Sequence, residues 1–356
     1  MVFKQHAALE EKSISRFIQK LFPDPIDIIG DIHGEIDALQ QLLVELGYDQ
    51  NGIHPENRRL VFVGDLVDRG PDSPAVVELV KKLVENKRAQ CILGNHELNL
   101  LRNDPKHGNE WFMTPDQPGD HPCVPVTETQ KQEFIGFLQT LPLALQRDDL
   151  RVVHACWNNA AVEKLSEPGC PDTVLEAYEL FASGVEADCR YGETLDPAYV
   201  QALKNESKKP EMNLELARHD VACQMGNPVK IMTSGEEAEA DEPFWANGKW
   251  RMVARQKWWE DYADEQAVVV GHYWRHFGET TAGNKYKGGP DLFEGIEPHH
   301  WMGKNNKVYC VDFSVGHRHK ARADSLSEKH FKLAALRWPE KCVMHDDGEW
   351  FALDDD

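Results

Sequence analysis

Leu60-Val61-Phe62-Val63-Gly64-Asp65-Leu66-Val67-Asp68-Arg69-Gly70 is the stretch on which the fold turns. Its first four residues are β-branched, aromatic or aliphatic and read as a buried strand. Gly64 ends the run and lets the backbone come close to whatever lies beyond the strand tip. Asp65 follows on the loop, where open α/β sheets place their ligands. Asp68, Arg69, Gly70 and Pro71 come next. Two carboxylates, a fork-shaped cation and two backbone breakers also fit a charged surface turn. Taken alone, the stretch leaves both readings open.

Similar stretches on either side decide between them. Upstream, Ile26-Asp27-Ile28-Ile29-Gly30 runs into Asp31-Ile32-His33-Gly34. Downstream, Ala89-Gln90-Cys91-Ile92-Leu93-Gly94 runs into Asn95-His96-Glu97. In each, an apolar strand ends in Gly and a hard oxygen ligand follows at once. Asp31 and His33 are two apart, so on extended backbone their side chains point the same way. Val152-Val153-His154 and Val268-Val269-Val270-Gly271-His272 are two more apolar strands ending in His. Five strand ends thus supply Asp31, His33, Asp65, Asn95, His154 and His272. This mixed oxygen and imidazole set suits Mn²⁺, Fe or Zn²⁺ rather than Ca²⁺. Asp65 is best placed to bridge two ions.

GDIHG (30–34), GDLVDRG (64–70), GNHE (94–97), His154 after its strand and Gly271-His272 resemble, in order, the motifs of the calcineurin-like metallophosphoesterases. Within them the chain resembles the phosphoprotein phosphatase branch, which holds protein Ser/Thr phosphatases and symmetrical diadenosine tetraphosphatases. The resemblance covers roughly Asp27–Asn159 and Val268–Pro339. It implies an α/β fold of two packed mixed β-sheets flanked by helices. It also implies two divalent metal ions, Mn²⁺ or an Fe/Zn pair. Asp31, His33 and Asp65 would hold one; Asp65, Asn95, His154 and His272 would hold the other. Hydrolysis would then proceed by direct attack of a metal-bridging hydroxide, with no covalent enzyme intermediate.

The resemblance assigns His96 as the acid that protonates the leaving oxygen and Asp68 as the carboxylate that orients it. Arg69 offers its fork to phosphate oxygens, with Asn95 beside it. Arg255 is the expected second phosphate arginine, with Arg251 and Arg275 as alternatives. Asp312 resembles the aspartate that supports the ligands from behind. His317-Arg318-His319-Lys320 reads as a solvated loop, with a basic patch that reads substrate as the alternative. His299-His300 receives no metal role, because no other ligand-type spacing accompanies it.

The chain has 356 residues, 41% of them hydrophobic, enough for a large core or a core plus a lobe. Its formal net charge of −21 argues against non-specific DNA or RNA binding. None of the eight cysteines forms a C-x-x-C pair, and Cys91, Cys156 and Cys310 sit in apolar runs. Met1–Lys20 lacks the apolar segment of a signal peptide, and no run approaches a membrane span. A reducing cytoplasm is the expected compartment.

Along the chain, Leu9, Ile14, Phe17, Ile18 and Leu21 approach helical spacing, so residues 1–25 read as an N-terminal helix. Strands alternate with helices at 36–46 and 74–86, the latter with Ser73 as its N-cap, which is a parallel α/β pattern. Asn103–Pro125 reads as an irregular loop that overhangs the site. Residues 26–154 and 267–345 form the expected metallophosphoesterase core. Residues 155–266 read as an inserted helical cap, with a solvated, loop-like acidic run at Ser234–Glu242. Gly278–Gly289 reads as a Gly-rich loop and 346–356 as an acidic tail. Three functions fit. The first is a protein Ser/Thr phosphatase-like phosphomonoesterase. The second is a dinucleoside polyphosphate hydrolase. The third is an inactive metal-binding scaffold, against which the complete acid pair argues. The substrate is accordingly a phosphorylated small molecule, a nucleotide or a phosphoprotein.

Overall fold

The computed structural model describes residues 16–117, 123–188, 196–246, 248–275, 290–325 and 327–354. The strands are β1 (Ile18–Lys20), β2 (Ile26–Ile29), β3 (Arg59–Phe62), β4 (Ala89–Cys91), β5 (Ala144–Gln146), β6 (Leu150–Val153), β7 (Glu237–Ala246), β8 (Lys249–Arg255), β9 (Ala267–Val270), β10 (Val308–Cys310), β11 (Ala334–Trp338), β12 (Cys342–His345) and β13 (Trp350–Ala352). They form one sheet in the order β1-β5-β6-β9-β10, a second in the order β13-β12-β11-β2-β3-β4, and the separate hairpin β7-β8. Both large sheets mix parallel and antiparallel pairs: β2-β3-β4 run parallel and β11 closes on β2 antiparallel, while β5-β6 is antiparallel between parallel neighbours.

The period-two pattern of the strands explains the layers. Ile26, Ile28, Val61 and Val63 pack with Leu145, Leu150, Val152 and Val269 between the sheets. Leu60 and Phe62 point the other way, onto helices α1 (Ile36–Leu46) and α2 (Ser73–Glu85) through Leu39, Leu42, Val76 and Val80. Strands buried on both faces must be apolar throughout, which is why the runs were legible. The exception, Asp27, is fully buried and accepts from Tyr48, Arg58 and Arg337. Gly47 closes α1 in the left-handed conformation at φ 90°. Asp72, not Ser73, caps α2 through Ala75 N; Ser73 Oγ instead accepts from Asp68 N at 2.9 Å. Two further helices, α3 (Asn95–Leu101) and α4 (Glu110–Met113), follow β4. The second lies inside the 103–125 stretch expected to be irregular. Helix α5 (Glu128–Leu138) leads back to β5.

Further expectations need correction. Residues 18–20 are a strand, not the end of a helix, because they pair parallel with β5 while Phe17 and Leu21 bury on either side; residues 1–15 lie outside the described part. The acidic tail includes β13, which pairs with β12. The insertion is α/β rather than purely helical: α6 (Asn159–Leu165), α7 (Val174–Asp188), α8 (Pro197–Ala202), α9 (Leu214–Met225) and α10 (Pro228–Ser234) precede the β7-β8 hairpin. Its acidic strand is tolerated because Glu242 meets Lys209 at 2.7 Å and Glu239 meets Arg218 at 3.4 Å. Trp258 and Trp259 are buried core residues. The insertion sits between β6 and β9, which are parallel neighbours. The stretch at 317–320 is also no loop: Arg318 opens the helix α11 (Arg318–Ala323). The Gly-rich run expected at 278–289 falls outside the described residues. No described helix is long and apolar enough to cross a membrane.

Candidate active site

The loops after β2, β3, β4, β6 and β9 deliver Asp31, His33, Asp65, Asn95, His154 and His272 to one place. All but Asn95 are at most 4% exposed. The two oxygens of Asp65 face two different groups. Oδ1 lies 3.3 Å from His154 Nε2, which is also 3.3 Å from Asn95 Oδ1; that oxygen is 2.8 Å from His272 Nδ1. Oδ2 lies 3.7 Å from His33 Nε2, which is 3.9 Å from Asp31 Oδ2. The structure therefore brings together all six residues picked from the sequence.

Hydrogen bonds on the far side of the rings fix which nitrogens face inward. His154 Nδ1 is 2.7 Å from Val63 O and His33 Nδ1 is 3.0 Å from Val67 O. A carbonyl can only accept, so each Nδ1 carries the proton and each Nε2 turns a lone pair inward. Imidazole lone pairs and carboxylate oxygens then converge with like polarity. His272 Nε2 is buried without a hydrogen-bond partner. Such a donor set fits divalent cations and is costly without positive charge among them. The electrostatics divide the donors. Burial, then Arg69 and His96, pushes His33 well below its usual value; burial and Arg255 do the same to His272. Burial would raise Asp65, but His154, His96 and His33 outweigh it and hold the carboxyl low. Burial, Asp312 and Asp65 raise Asp31. Burial opposes charge on His154, yet Asp65 draws it upward.

Close approach requires glycine at two positions. A Cβ on Gly94 would stand 2.3 Å from Asp65 Oδ1, and one on Gly271 would stand 2.0 Å from Asp31 Oδ1. The backbone is strained as well: His33, Asp65, Asp68, Arg69, His272 and Trp274 all have φ between 48° and 75°. Each such residue costs of order 1–3 kcal/mol and persists only where the surroundings over-determine it.

His96 stands beside the six. Its Nδ1 is 2.6 Å from Asp68 Oδ2 and its Nε2 is 3.9 Å from Asp65 Oδ2. Arg69 reaches both groups, with Nη1 2.7 Å from His33 Nε2 and Nη2 3.0 Å from His96 Nε2. Its guanidinium lies 4.3 Å over the Trp274 ring. Asp312 accepts from Trp274 N and from Ser314 N, both at 2.8 Å, so it holds the loop that carries His272.

The arginines separate clearly. Arg255 ends β8 and lies 5.8 Å over the ring of Tyr273, next to His272. Arg251 and Lys249 stand four and six residues before it on the same strand. Arg275 is buried and turned elsewhere, donating to Glu297 O and His300 O. Arg318 is committed to Phe331 O and Asp346, which removes it from substrate.

Sequence reasoning missed Glu97, Trp111 and Trp274. Glu97 is fully buried and accepts from Asp65 N at 2.8 Å, Leu66 N at 2.8 Å and Gly94 N at 3.0 Å. It clamps two motif loops together. Its place in Gly94-Asn95-His96-Glu97 was the available signal. Trp111 donates to Asp68 Oδ1 at 2.8 Å, and nothing in its local sequence announces that.

Residues 24–165 match the family model described as calcineurin-like phosphoesterase, so the chain carries a domain of that family. A bis(5'-nucleosyl)-tetraphosphatase PrpE [asymmetrical] from Oceanobacillus iheyensis is 54% identical over 80 residues, 22% of this chain and 32% of that protein. The protein of the same name from Geobacillus sp. is 36% identical over 141 residues, 36% of this chain and 56% of that protein. The chain thus spans between a third and just over half the length of these relatives. Among solved structures, a protein serine/threonine phosphatase from Saccharomyces cerevisiae aligns with a TM-score of 0.43 at 13% identity, over 93% of this chain and 81% of that one.

Proposed function

We propose that this chain is a metal-dependent hydrolase of dinucleoside polyphosphates. The carrying observation is the placement of Asp65, whose two oxygens face two convergent donor groups, with His96 and Asp68 paired at their edge. Asp31, His33 and Asp65 would hold one divalent ion; Asp65, Asn95, His154 and His272 would hold the other. When bound, such a pair supplies an activated water and Lewis-acid clamping of a phosphoryl group. Arg69 and Arg255 orient phosphate oxygens, helped by Asn95. His96 Nε2, once it exchanges its Arg69 contact for a proton, gives that proton to the leaving oxygen. Asp68 fixes the imidazole so that this nitrogen faces the site.

The sequence alone placed a Ser/Thr phosphatase-like monoesterase first. The similarity to nucleosyl-tetraphosphatases favours the alternative, and those relatives are asymmetrical where the sequence resemblance had suggested the symmetrical kind. The insertion supports a polyanionic substrate. Lys249, Arg251 and Arg255 share one face of β8, with Glu237 opposite Arg255 across the hairpin. Three cations on the strand whose last residue lies over Tyr273 suit a phosphate chain longer than one unit. The test is turnover of diadenosine tetraphosphate against a phosphoserine peptide in Mn²⁺, with products resolved by anion exchange. ATP plus AMP is the expected outcome. Preference for the peptide would restore the monoesterase reading, and no turnover of either by metal-loaded protein would leave a scaffold.

A further inference from the structure

We propose that His299, His300 and Asp354 form a second, separate metal site, for a borderline divalent ion of the Zn²⁺ kind. Adjacent histidines gave no such signal in sequence, because their partner is over fifty residues away in the C-terminal segment. The fold supplies it. Asp354 Oδ2 lies 3.1 Å from His300 Nε2 and 3.5 Å from His299 Nε2. One ligand atom from each of the three lies within 4.8 Å of the others. Two ligand atoms each about 2.0 Å from a tetrahedral ion stand about 3.3 Å apart. The two measured separations bracket that value.

The ligands are held rather than free. Asp354 N donates to His299 O at 3.1 Å, and the preceding Leu353 is buried with its N–H on Lys341 O at 2.8 Å. His300 N closes a turn on Glu297 O at 3.0 Å, and His300 O accepts from buried Arg275 at 3.3 Å. Trp301, next in the chain, packs between Tyr309 and Trp338. Backbone held next to each ligand lowers the ordering cost of binding. A hollow of about 310 Å³ beside His300 and Asp354 leaves room for water or a small anion at the fourth position. Three protein ligands with an open position is the arrangement of an exchangeable ion rather than a closed structural one. With two imidazoles and one carboxylate the site ranks Zn²⁺ above Mn²⁺. It shares no residue with the six that surround Asp65. The competing account is two imidazole N–H groups donating to one half-exposed carboxylate, an arrangement worth little.

Metal content decides between them. Chelator-stripped protein is reloaded with Mn²⁺, freed of excess, titrated with Zn²⁺ by calorimetry and analysed for metal after gel filtration. Wild type is expected to take up one Zn²⁺ per chain more than H299A/H300A. D354A is expected to bind that ion at least tenfold more weakly. All three should hydrolyse p-nitrophenyl phosphate alike in Mn²⁺, since the site around Asp65 is untouched. Should the double variant fail to fold by circular dichroism, D354A and H300A carry the comparison. Equal Zn²⁺ uptake by wild type and folded variants overturns the proposal and leaves the histidines as hydrogen-bond donors.

Discussion

His96 Nδ1 lies 2.6 Å from Asp68 Oδ2, and the other oxygen of Asp68 accepts the Trp111 indole N–H at 2.8 Å. Asp68 N is itself held on Ser73 Oγ. The carboxylate is thus held at both oxygens and its backbone at the nitrogen, and the imidazole it carries can turn only Nε2 to the site.

His96→Asn should therefore leave metal content unchanged and lower turnover by about 10²–10⁴, the usual worth of one proton-transfer group. The loss should follow the leaving group. Nitrophenolate departs without a proton, whereas an alkoxide needs one. Phosphoserine peptide or alkyl phosphate should suffer far more than p-nitrophenyl phosphate, and Asp68→Asn should repeat the trend more weakly. Equal losses on good and poor leaving groups would make His96 a positioning residue.

Asp65→Asn tests the bridge. One charge-bearing oxygen becomes an amide, and the two donor groups lose the ligand they share. Both ions should bind more weakly and nearly all turnover should vanish. Metal analysis after Mn²⁺ loading should give two ions per wild-type chain and fewer than one in the variant. Wild-type metal content with wild-type turnover would refute the bridging role.

The strand ends were legible because burial on both faces enforces apolar runs, and Gly at their tips marks the close approaches of Gly94 and Gly271. What escaped was non-local. Phe17, Ile18 and Leu21 match helical spacing, but a sheet edge at β5 claims them. The run at 237–242 is too acidic to look like a strand until Lys209 and Arg218 are placed beside it. Trp111 reaches Asp68 across forty-three positions, and no spacing rule encodes that contact.

Arg251 and Arg255 should matter in proportion to the number of phosphates bound. Replacing both with Ala should raise KM for diadenosine tetraphosphate by roughly tenfold or more, since hydrogen bonds to charged groups are worth about 1.5–3 kcal/mol. For p-nitrophenyl phosphate, which presents one phosphate, the rise should be smaller. Steady-state kinetics on the two substrates gives the comparison. An equal rise would place both arginines on the reacting phosphate alone.

Glu97→Gln should destabilise the fold. Glu97 Oε2 accepts two backbone N–H groups and Oε1 a third. A glutamine amide must turn its NH₂ toward at least one of those donors, leaving a buried N–H unsatisfied at a cost of about 1–3 kcal/mol. Urea unfolding of the metal-free protein measures it without interference from ion binding. A loss below about 0.5 kcal/mol would mean that the loops are held by other contacts.

His345 sets an acid limit on stability away from the site. It is buried on β12 with its ring 4.8 Å from Phe313 and 5.7 Å from Phe351. Burial first, then Lys332, pushes it down to about 3 from the usual 6.5. Between those values the unfolded chain binds the proton and the folded chain does not. The contribution is therefore fully present above pH 6.5 and is lost as pH falls toward 3. Its ceiling is roughly 5 kcal/mol, at about 1.4 kcal/mol for each tenfold change in proton affinity. His345→Leu should remove that dependence whatever it does to stability at pH 7.5. Urea unfolding at pH 7.5, 6.0 and 5.0 should show wild type losing stability to acid more steeply than the variant. Parallel curves would place the titrating group elsewhere and leave His345 as a packing residue.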